Sequence, residues 1–383
     1  MKQNTRKRVT SVLAAAMAVL LMLPLGSAHV EARTELEMDD YDDIVSTYSV
    51  DDSVLDYKDY VNQFNAIYPE KSITVGAQGC VRYDENDEEA EPVIYKDYEG
   101  MSGDSIYTSE NSLIEFEVDV KEEGFYNLSL EYYPVKGKNS AIERSVFIDG
   151  ELPYSELALV TFYRIWEYDA DSYVGNNGST QYIWEKDNQG NDCKPSMKEK
   201  PEWVSEYMYD SDGYVTTPLS VYLTKGKHTV TLLSMREPMV IHSLTLSNAE
   251  DRPTYAEVKS ANDAAGVKDT SGKLITIEGE NPTRTSSQML YPIQDQSSPS
   301  VSPSSAKMLL NNTIGGNSWR LVGQWIEWDF DVDESGYYNI SLYDCQNFVR
   351  GIYVSRKITI DGEVPFKEME AYGFKDRKST RLN

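Results

Sequence analysis

Ile114-Glu-Phe-Glu-Val-Asp-Val-Lys-Glu-Glu-Gly-Phe-Tyr-Asn-Leu-Ser-Leu130 decides the fold class. Ile114, Phe116, Val118 and Val120 alternate with Glu115, Glu117 and Asp119. A period of two puts the apolar set in a core and the acids in water. Gly124 closes a turn, and Tyr126, Leu128 and Leu130 resume the alternation as a returning strand. The stretch comes back 212 residues later as Ile326-Glu-Trp-Asp-Phe-Asp-Val-Asp-Glu-Ser-Gly-Tyr-Tyr-Asn-Ile-Ser-Leu342. Arg144 then matches Arg356, and Ile148-Asp-Gly-Glu-Leu-Pro153 matches Ile360-Asp-Gly-Glu-Val-Pro365, with no gap. A unit this long is a domain, because solenoid and propeller repeats run at about 20–50 residues. The chain carries one domain twice.

Asp149-Gly150 and Asp361-Gly362 suit tight hairpin turns. Further strands are predicted at 219–223, 228–233 and 240–246, with Lys225-Gly-Lys227 as a turn. Short strands at regular spacing, separated by turn signals, predict an all-β sandwich. A short helix precedes each unit. The first covers 54–64, capped by Asp52-Ser53, with Leu55, Tyr57, Tyr60, Val61 and Phe64 near helical spacing; the second covers 253–264. Strand-like pieces follow at 72–75 and 274–277. The first sandwich takes residues 51–250 and holds a long insertion, about 154–217, rich in Tyr, Trp, Asn, Asp and Gly. The second, 251–377, has no counterpart of the last three strands of the first and reads as truncated. Lys378-Ser-Thr-Arg-Leu-Asn383 is basic in an acidic chain and reads as a non-native tail.

Residues 1–28 read as a secretory signal peptide: Lys2, Arg6, Lys7 and Arg8, an apolar run from Val12 to Leu25, then Gly26-Ser-Ala28. Residues 29–50 form an acidic leader. Removing 1–28 takes the formal charge from −27 to −31 through those four basic side chains. Such a surface repels phosphate backbones and anionic headgroups, which excludes nucleic acid as a partner and leaves neutral ligands and cations. Cys80, Cys193 and Cys345 are too few and too odd in number for a disulfide framework. Cys80 and Cys193 could pair, although buried free thiols fit the base rate better.

The insertion gathers Tyr163, Trp166, Tyr168, Trp184 and Trp203 among Asn and Asp side chains. Sugar rings offer C–H faces to aromatic π-systems and hydroxyls to planar amides and carboxylates. These are the ingredients of a carbohydrate site; the competing reading is that the rings pin a long loop to the sandwich. Trp319, Gln346 and Asn347 make a second, smaller polar-aromatic set. Arg144 and Arg356, at equivalent positions, are expected to be structural and paired with carboxylates. Asp149 and Asp361 are expected to be structural turn residues. Glu278 is the leading ligand for a structural Ca²⁺, ahead of the oxygen-rich loops at 187–192 and 210–213, which lack the EF-hand spacing. No nucleophile elbow is present, and no carboxylate pair stands out for glycoside hydrolysis. The expected protein is not an enzyme.

Gly315-Gly-Asn-Ser-Trp319, Gly323-Gln-Trp-Ile326, Gly336-Tyr-Tyr338, Gln346-Asn347, Arg356 and Ile360-Asp-Gly-Glu-Val-Pro-Phe366 resemble the N-terminal region of Gram-positive extracellular solute-binding proteins. The likeness covers roughly residues 50–376. It implies tandem galactose-binding-like (jelly-roll) sandwiches, a poly- or oligosaccharide as ligand, and an ABC-transporter permease as partner through a further C-terminal domain. It implies a secreted or cell-surface location. An accessory carbohydrate-binding module of a secreted glycoside hydrolase and a structural or adhesive spacer are the alternatives.

Overall fold

The computed structural model describes residues 54–249, 251–270, 272, 274–345 and 353–375. The predicted signal peptide, the leader, the tail, Gln346 and Asn347 lie outside them. Among the described residues, no helix is long and apolar enough to cross a membrane.

The first repeat is a two-sheet β-sandwich. Its strands before the insertion are β1 (Ile73–Gly76), β2 (Cys80–Glu85), β3 (Glu88–Glu89), β4 (Val93–Lys96), β5 (Asp104–Thr108), β6 (Ser112–Val120), β7 (Gly124–Pro134) and β8 (Ile142–Ile148). The insertion adds β9 (Val160–Phe162), β10 (Trp166–Tyr168), β11 (Ser172–Val174), β12 (Thr180–Tyr182), β13 (Met197–Glu199) and β14 (Val204–Tyr207). β15 (Ser220–Leu223), β16 (Gly226–Arg236) and β17 (Met239–Ser247) complete it. One sheet runs β14-β7-β17-β5-β4, with β1 on β17 and β15 on β7; the other runs β3-β2-β6-β16-β8-β9. Phe116, Val118, Leu128, Leu130, Val146, Val230, Leu232 and Leu244 fill the space between them and are buried. Each such side chain contributes about 1.5–3 kcal/mol through burial. The alternation read from 114–130 therefore gives the right faces.

The predicted first helix is shorter than the apolar spacing suggests. Helix α1 is Tyr57–Val61, and its cap is Asp56, which accepts the Asp59 amide at 2.7 Å; Asp52-Ser53 lies outside the described residues. Beyond α1 the chain is held by rings instead, with Phe64 stacked on Tyr222 at 4.4 Å. Helix α2, Tyr255–Ala264, has a capping box of Thr254 and Glu257.

Among the described residues, the second repeat contributes short strands: β18 (Arg284–Thr285), β19 (Pro292–Ile293), β20 (Thr313–Ile314), β21 (Ile326–Glu327), β22 (Tyr353–Arg356) and β23 (Tyr372–Lys375). The strand expected at 274–277 does not form. Its counterpart β1 exists by pairing with β17, and among the described residues no equivalent of β17 lies beside 274–277.

The repeat nevertheless extends to atomic detail. The Tyr57 amide donates to Glu156 Oε2 at 2.9 Å, and the Tyr255 amide to Glu368 Oε2 at 2.9 Å. Tyr57 meets Tyr154 edge-on at 5.0 Å, and Tyr255 meets Phe366 at 5.1 Å. Asp149-Gly150 and Asp361-Gly362 both take positive φ, at 52°, 80°, 53° and 82°, as a type I′ hairpin turn demands. A Cβ on Gly124 or on Gly336 would lie 2.6 Å from a carbonyl oxygen, that of Ile67 or of Lys268. Glycine is required at both for the same close approach.

The insertion is a joint. β10 pairs with β13 on one side and β18 on the other, bringing the second repeat into its sheet. Tyr163 Oη donates to the Val322 carbonyl, and Tyr168 Oη to that of Leu290 at 3.0 Å. Cys80, Cys193 and Cys345 are separate thiols.

Candidate functional site

Burial re-sorts the aromatic residues singled out in the insertion. Tyr163, Trp166 and Tyr168 are buried, which takes them out of a ligand's reach. Their apolar density in a long loop reflects an internal interface. Burial pushes the Tyr163 hydroxyl up to about 12, and that of Tyr168 further still. Trp184 is half-buried, stacked on Tyr182 at 5.1 Å, with Tyr168 edge-on to both. Trp319 donates through Nε1 to the Gln324 carbonyl at 3.0 Å and carries the Arg356 guanidinium 4.3 Å above its ring.

The two arginines behave differently from the carboxylate pairing expected of them. Arg144 is fully buried and donates through Nη1 to the carbonyls of Glu143 and Arg236 at 2.8 and 3.0 Å, and through Nη2 to Thr108 Oγ1 at 3.2 Å. Burial, with the nearby Arg164 charge, lowers its pKa to about 9. The acids of β6 point to the opposite side of the sheet, so they cannot reach it. Arg356 repeats the first contact, Nη1 to the Ser355 carbonyl at 2.9 Å. Asp149 accepts the Thr229 amide at 2.8 Å and meets His228 Nδ1 at 2.7 Å, which ties its turn to β16. Asp361 occupies the matching turn.

Among the described residues, no three His, Cys, Asp or Glu side chains form a metal-binding group, at Glu278 or elsewhere. Asp187 is engaged by the Gln189 and Asn191 amides, and Asp210 by those of Asp212 and Val215. These are turns closed by their own backbone.

Among the described residues of the predicted set, Trp184, Trp203 and Trp319 are half-buried, and Trp203 adjoins the broadest cluster of rings. It stands on the outer face of the β14-β7-β17-β5-β4 sheet. Trp203 lies 5.4 Å from Tyr133, 6.4 Å from Tyr98 and 5.9 Å from His242. Tyr98 stacks on Tyr95 at 4.9 Å, and Tyr95 meets Tyr107 at 6.3 Å. All but Tyr133 are half-buried, with rims in solvent. His242 Nδ1 bonds Ser105 Oγ at 3.0 Å, and Glu131 accepts from Ser243 Oγ at 3.4 Å. Partial burial and neighbouring carboxylates raise the Tyr98, Tyr107 and Tyr133 hydroxyls, so they stay neutral donors.

Tyr98 is held by a turn that carries strain. Asp97 and Glu99, on either side of it, have φ of 49° and 47°. Left-handed backbone at a non-glycine residue costs of order 1–3 kcal/mol and clusters at functional sites. Asp97 accepts the Gly103 amide at 2.8 Å, and Trp203 Nε1 donates to the Tyr98 carbonyl at 3.2 Å, which fixes the turn against the sheet. Sequence reading missed this platform because Tyr95, Tyr98, Tyr107 and Tyr133 belong to different segments.

Two desolvated carboxyls give the chain a pH dependence. Burial pushes Glu206, on β14, and Glu280 up to about 7; the Lys357 charge and Tyr132 partly offset this at Glu206, and the Glu278 charge adds to it at Glu280. Between the ordinary 4.5 and about 7 the folded chain holds protons that the unfolded chain has released. Stability is therefore full below that window and falls as pH rises through it. Urea unfolding midpoints measured from pH 5 to pH 8 should decline, and Glu206→Gln with Glu280→Gln should flatten the profile.

No protein-family model matches the chain, and no curated protein matches it. Among solved structures, it is similar to a family 35 carbohydrate-binding module from Clostridium thermocellum, at 11% identity over 47% of this chain and 99% of that one, with a TM-score of 0.27. It is also similar to a GH26-CBM35 β-(1,4)-mannanase from Podospora anserina, at 13% identity over 48% and 29%, with a TM-score of 0.27. A CBM35 from Cellvibrio japonicus shows 14% identity over 47% and 95%, with a TM-score of 0.26. Scores this low decide nothing about function, and the sandwich stands on its own two sheets.

Proposed function

We propose that this chain binds carbohydrate without catalysis, on the outer face of the β14-β7-β17-β5-β4 sheet. The observation that carries the reading is the surface cluster Tyr95, Tyr98, Tyr107, Tyr133 and Trp203, kept in place by a strained turn. Aromatic rings stack on the C–H faces of sugars, while Glu131, Ser243, His242 and the tyrosine hydroxyls offer acceptors and donors to the hydroxyls. The strongly acidic chain favours a neutral glycan over an anionic one. The sequence resemblance supports placing this module beside a sugar-uptake component at the cell exterior.

Affinity electrophoresis against neutral soluble polysaccharides, preceded by a glycan array, tests the site. Trp203→Ala and Tyr98→Ala should each weaken binding by about tenfold or more, equivalent to about 1.4 kcal/mol, with the fold retained. Affinity within twofold of the parent in both variants would remove the platform as the site. Trp166→Ala should lower stability instead.

A further inference from the structure

Trp203 sits on a link between two sheets. β13 ends at Glu199 in the β13-β10-β18-β21 sheet, and β14 begins at Val204 in the sheet that carries the platform. Residues 200–203 join them. The Lys200 amide donates to the Ile165 carbonyl at 2.9 Å, and Val204 pairs with Tyr132. Between these main-chain anchors, side chains hold the link. Trp203 Nε1 donates to the Tyr98 carbonyl at 3.2 Å. Glu202 meets Lys200 Nζ at 3.4 Å and accepts from Arg284 Nη1 at 2.9 Å. Arg284 belongs to the second repeat.

The two repeats use the same arginine differently. β18 and β21 match Arg284 with Glu327, as β2 and β6 match Arg82 with Glu115. Arg284 is thus the counterpart of Arg82. Arg82 turns its fork onto a carboxylate of its own strand, Nε to Asp84 Oδ1 at 3.2 Å and Nη2 to Asp84 Oδ2 at 2.5 Å. The second repeat has Ser286 at the position of Asp84, and Ser286 Oγ accepts the Trp325 amide at 2.9 Å. Without that carboxylate, the Arg284 fork is shared between the repeats: Nε bonds Glu327 Oε1 at 2.9 Å, and Nη1 crosses to Glu202. A planar guanidinium with fixed donors can hold two carboxylates at once. Burial raises the Tyr133 hydroxyl, and the Glu202 charge adds to it, which places that carboxylate beside the platform.

We infer, on the reading that the platform is the sugar site, that the second repeat takes part in carbohydrate binding, with Arg284 as a positioning residue that holds Trp203 through Glu202. Arg284 acts on the carboxylate one residue ahead of the ring, not on the glycan. The Arg284 and Glu202 side chains are 28% and 39% exposed, and pairs this open add little to global stability. The effect is local. Fixing Glu202 restricts the link before a sugar arrives, so less freedom is lost when the sugar stacks on Trp203.

Fluorine NMR of the full chain carrying fluorotryptophan reads the ring without a ligand, and Trp203→Phe assigns its resonance. Arg284→Met should shift or broaden that resonance while the urea midpoint stays at the parent's. Affinity electrophoresis then uses hydroxyethyl cellulose or galactomannan, whichever slows the parent more. Arg284→Met and Glu202→Gln should each weaken binding by about threefold or more, and the double variant by no more than either alone. Arg284→Lys, which keeps a charge on Glu202, should recover part of the loss. An unmoved Trp203 resonance, or losses that add in the double variant, overturns the inference. If Trp203→Ala loses binding and Arg284→Met does not, Arg284 has no such role and the platform stands. If Trp203→Ala binds as the parent does, the platform is not the site and neither residue serves binding.

Discussion

Arg164→Met lowers stability by about 3–5 kcal/mol, more than removal of any platform aromatic. Arg164 is nearly inaccessible and sits just ahead of β10. Its Nη1 bonds Glu199 Oε1 at 2.5 Å and the Val135 carbonyl at 2.7 Å, Nε bonds the Ser140 carbonyl at 2.8 Å, and Nη2 bonds Glu237 Oε2 at 2.9 Å. Glu237 is fully buried and also accepts the Lys138 and Ser140 amides at 2.7 and 2.8 Å. Removing the cation strands that carboxylate in the interior, and an uncompensated buried charge is far costlier than a lost surface pair. The thermal midpoint should fall by about 10 °C. Glu237→Gln keeps an acceptor for the amides while deleting the charge. Added to Arg164→Met, it should restore part of the loss. A double variant as unstable as the sum of the singles would show that the two groups act independently.

This network also explains how much of the molecule is legible in its sequence. The strands of the sandwich are, because Ile114 to Leu130 advertise two faces with a period of two. The paired turns at Asp149 and Asp361 are, because type I′ geometry restricts the residues that fit. Arg164 is not, since its partners come from the β7–β8 loop, from β13 and from the β16–β17 turn. The same holds for the platform. Tyr95 and Tyr107 meet because β4 pairs with β5, and Tyr133 joins them only through β17. That order is non-consecutive and leaves no local pattern. Conversely, Tyr163, Trp166 and Tyr168 are adjacent in sequence and look like one patch. They face an interior that exists only once the second repeat is docked.

Aspartate introduced at two equivalent positions 212 residues apart should have unequal consequences. Val118→Asp places a carboxylate at a fully buried position between the sheets. With no partner within the apolar core, it costs at least about 4 kcal/mol. Phe330→Asp, at the equivalent position, removes a ring already 41% exposed and should change stability by about 0.5 kcal/mol at most. Urea titration followed by tryptophan fluorescence reads both. Equal destabilisation would mean that Phe330 sits in a closed core as Val118 does.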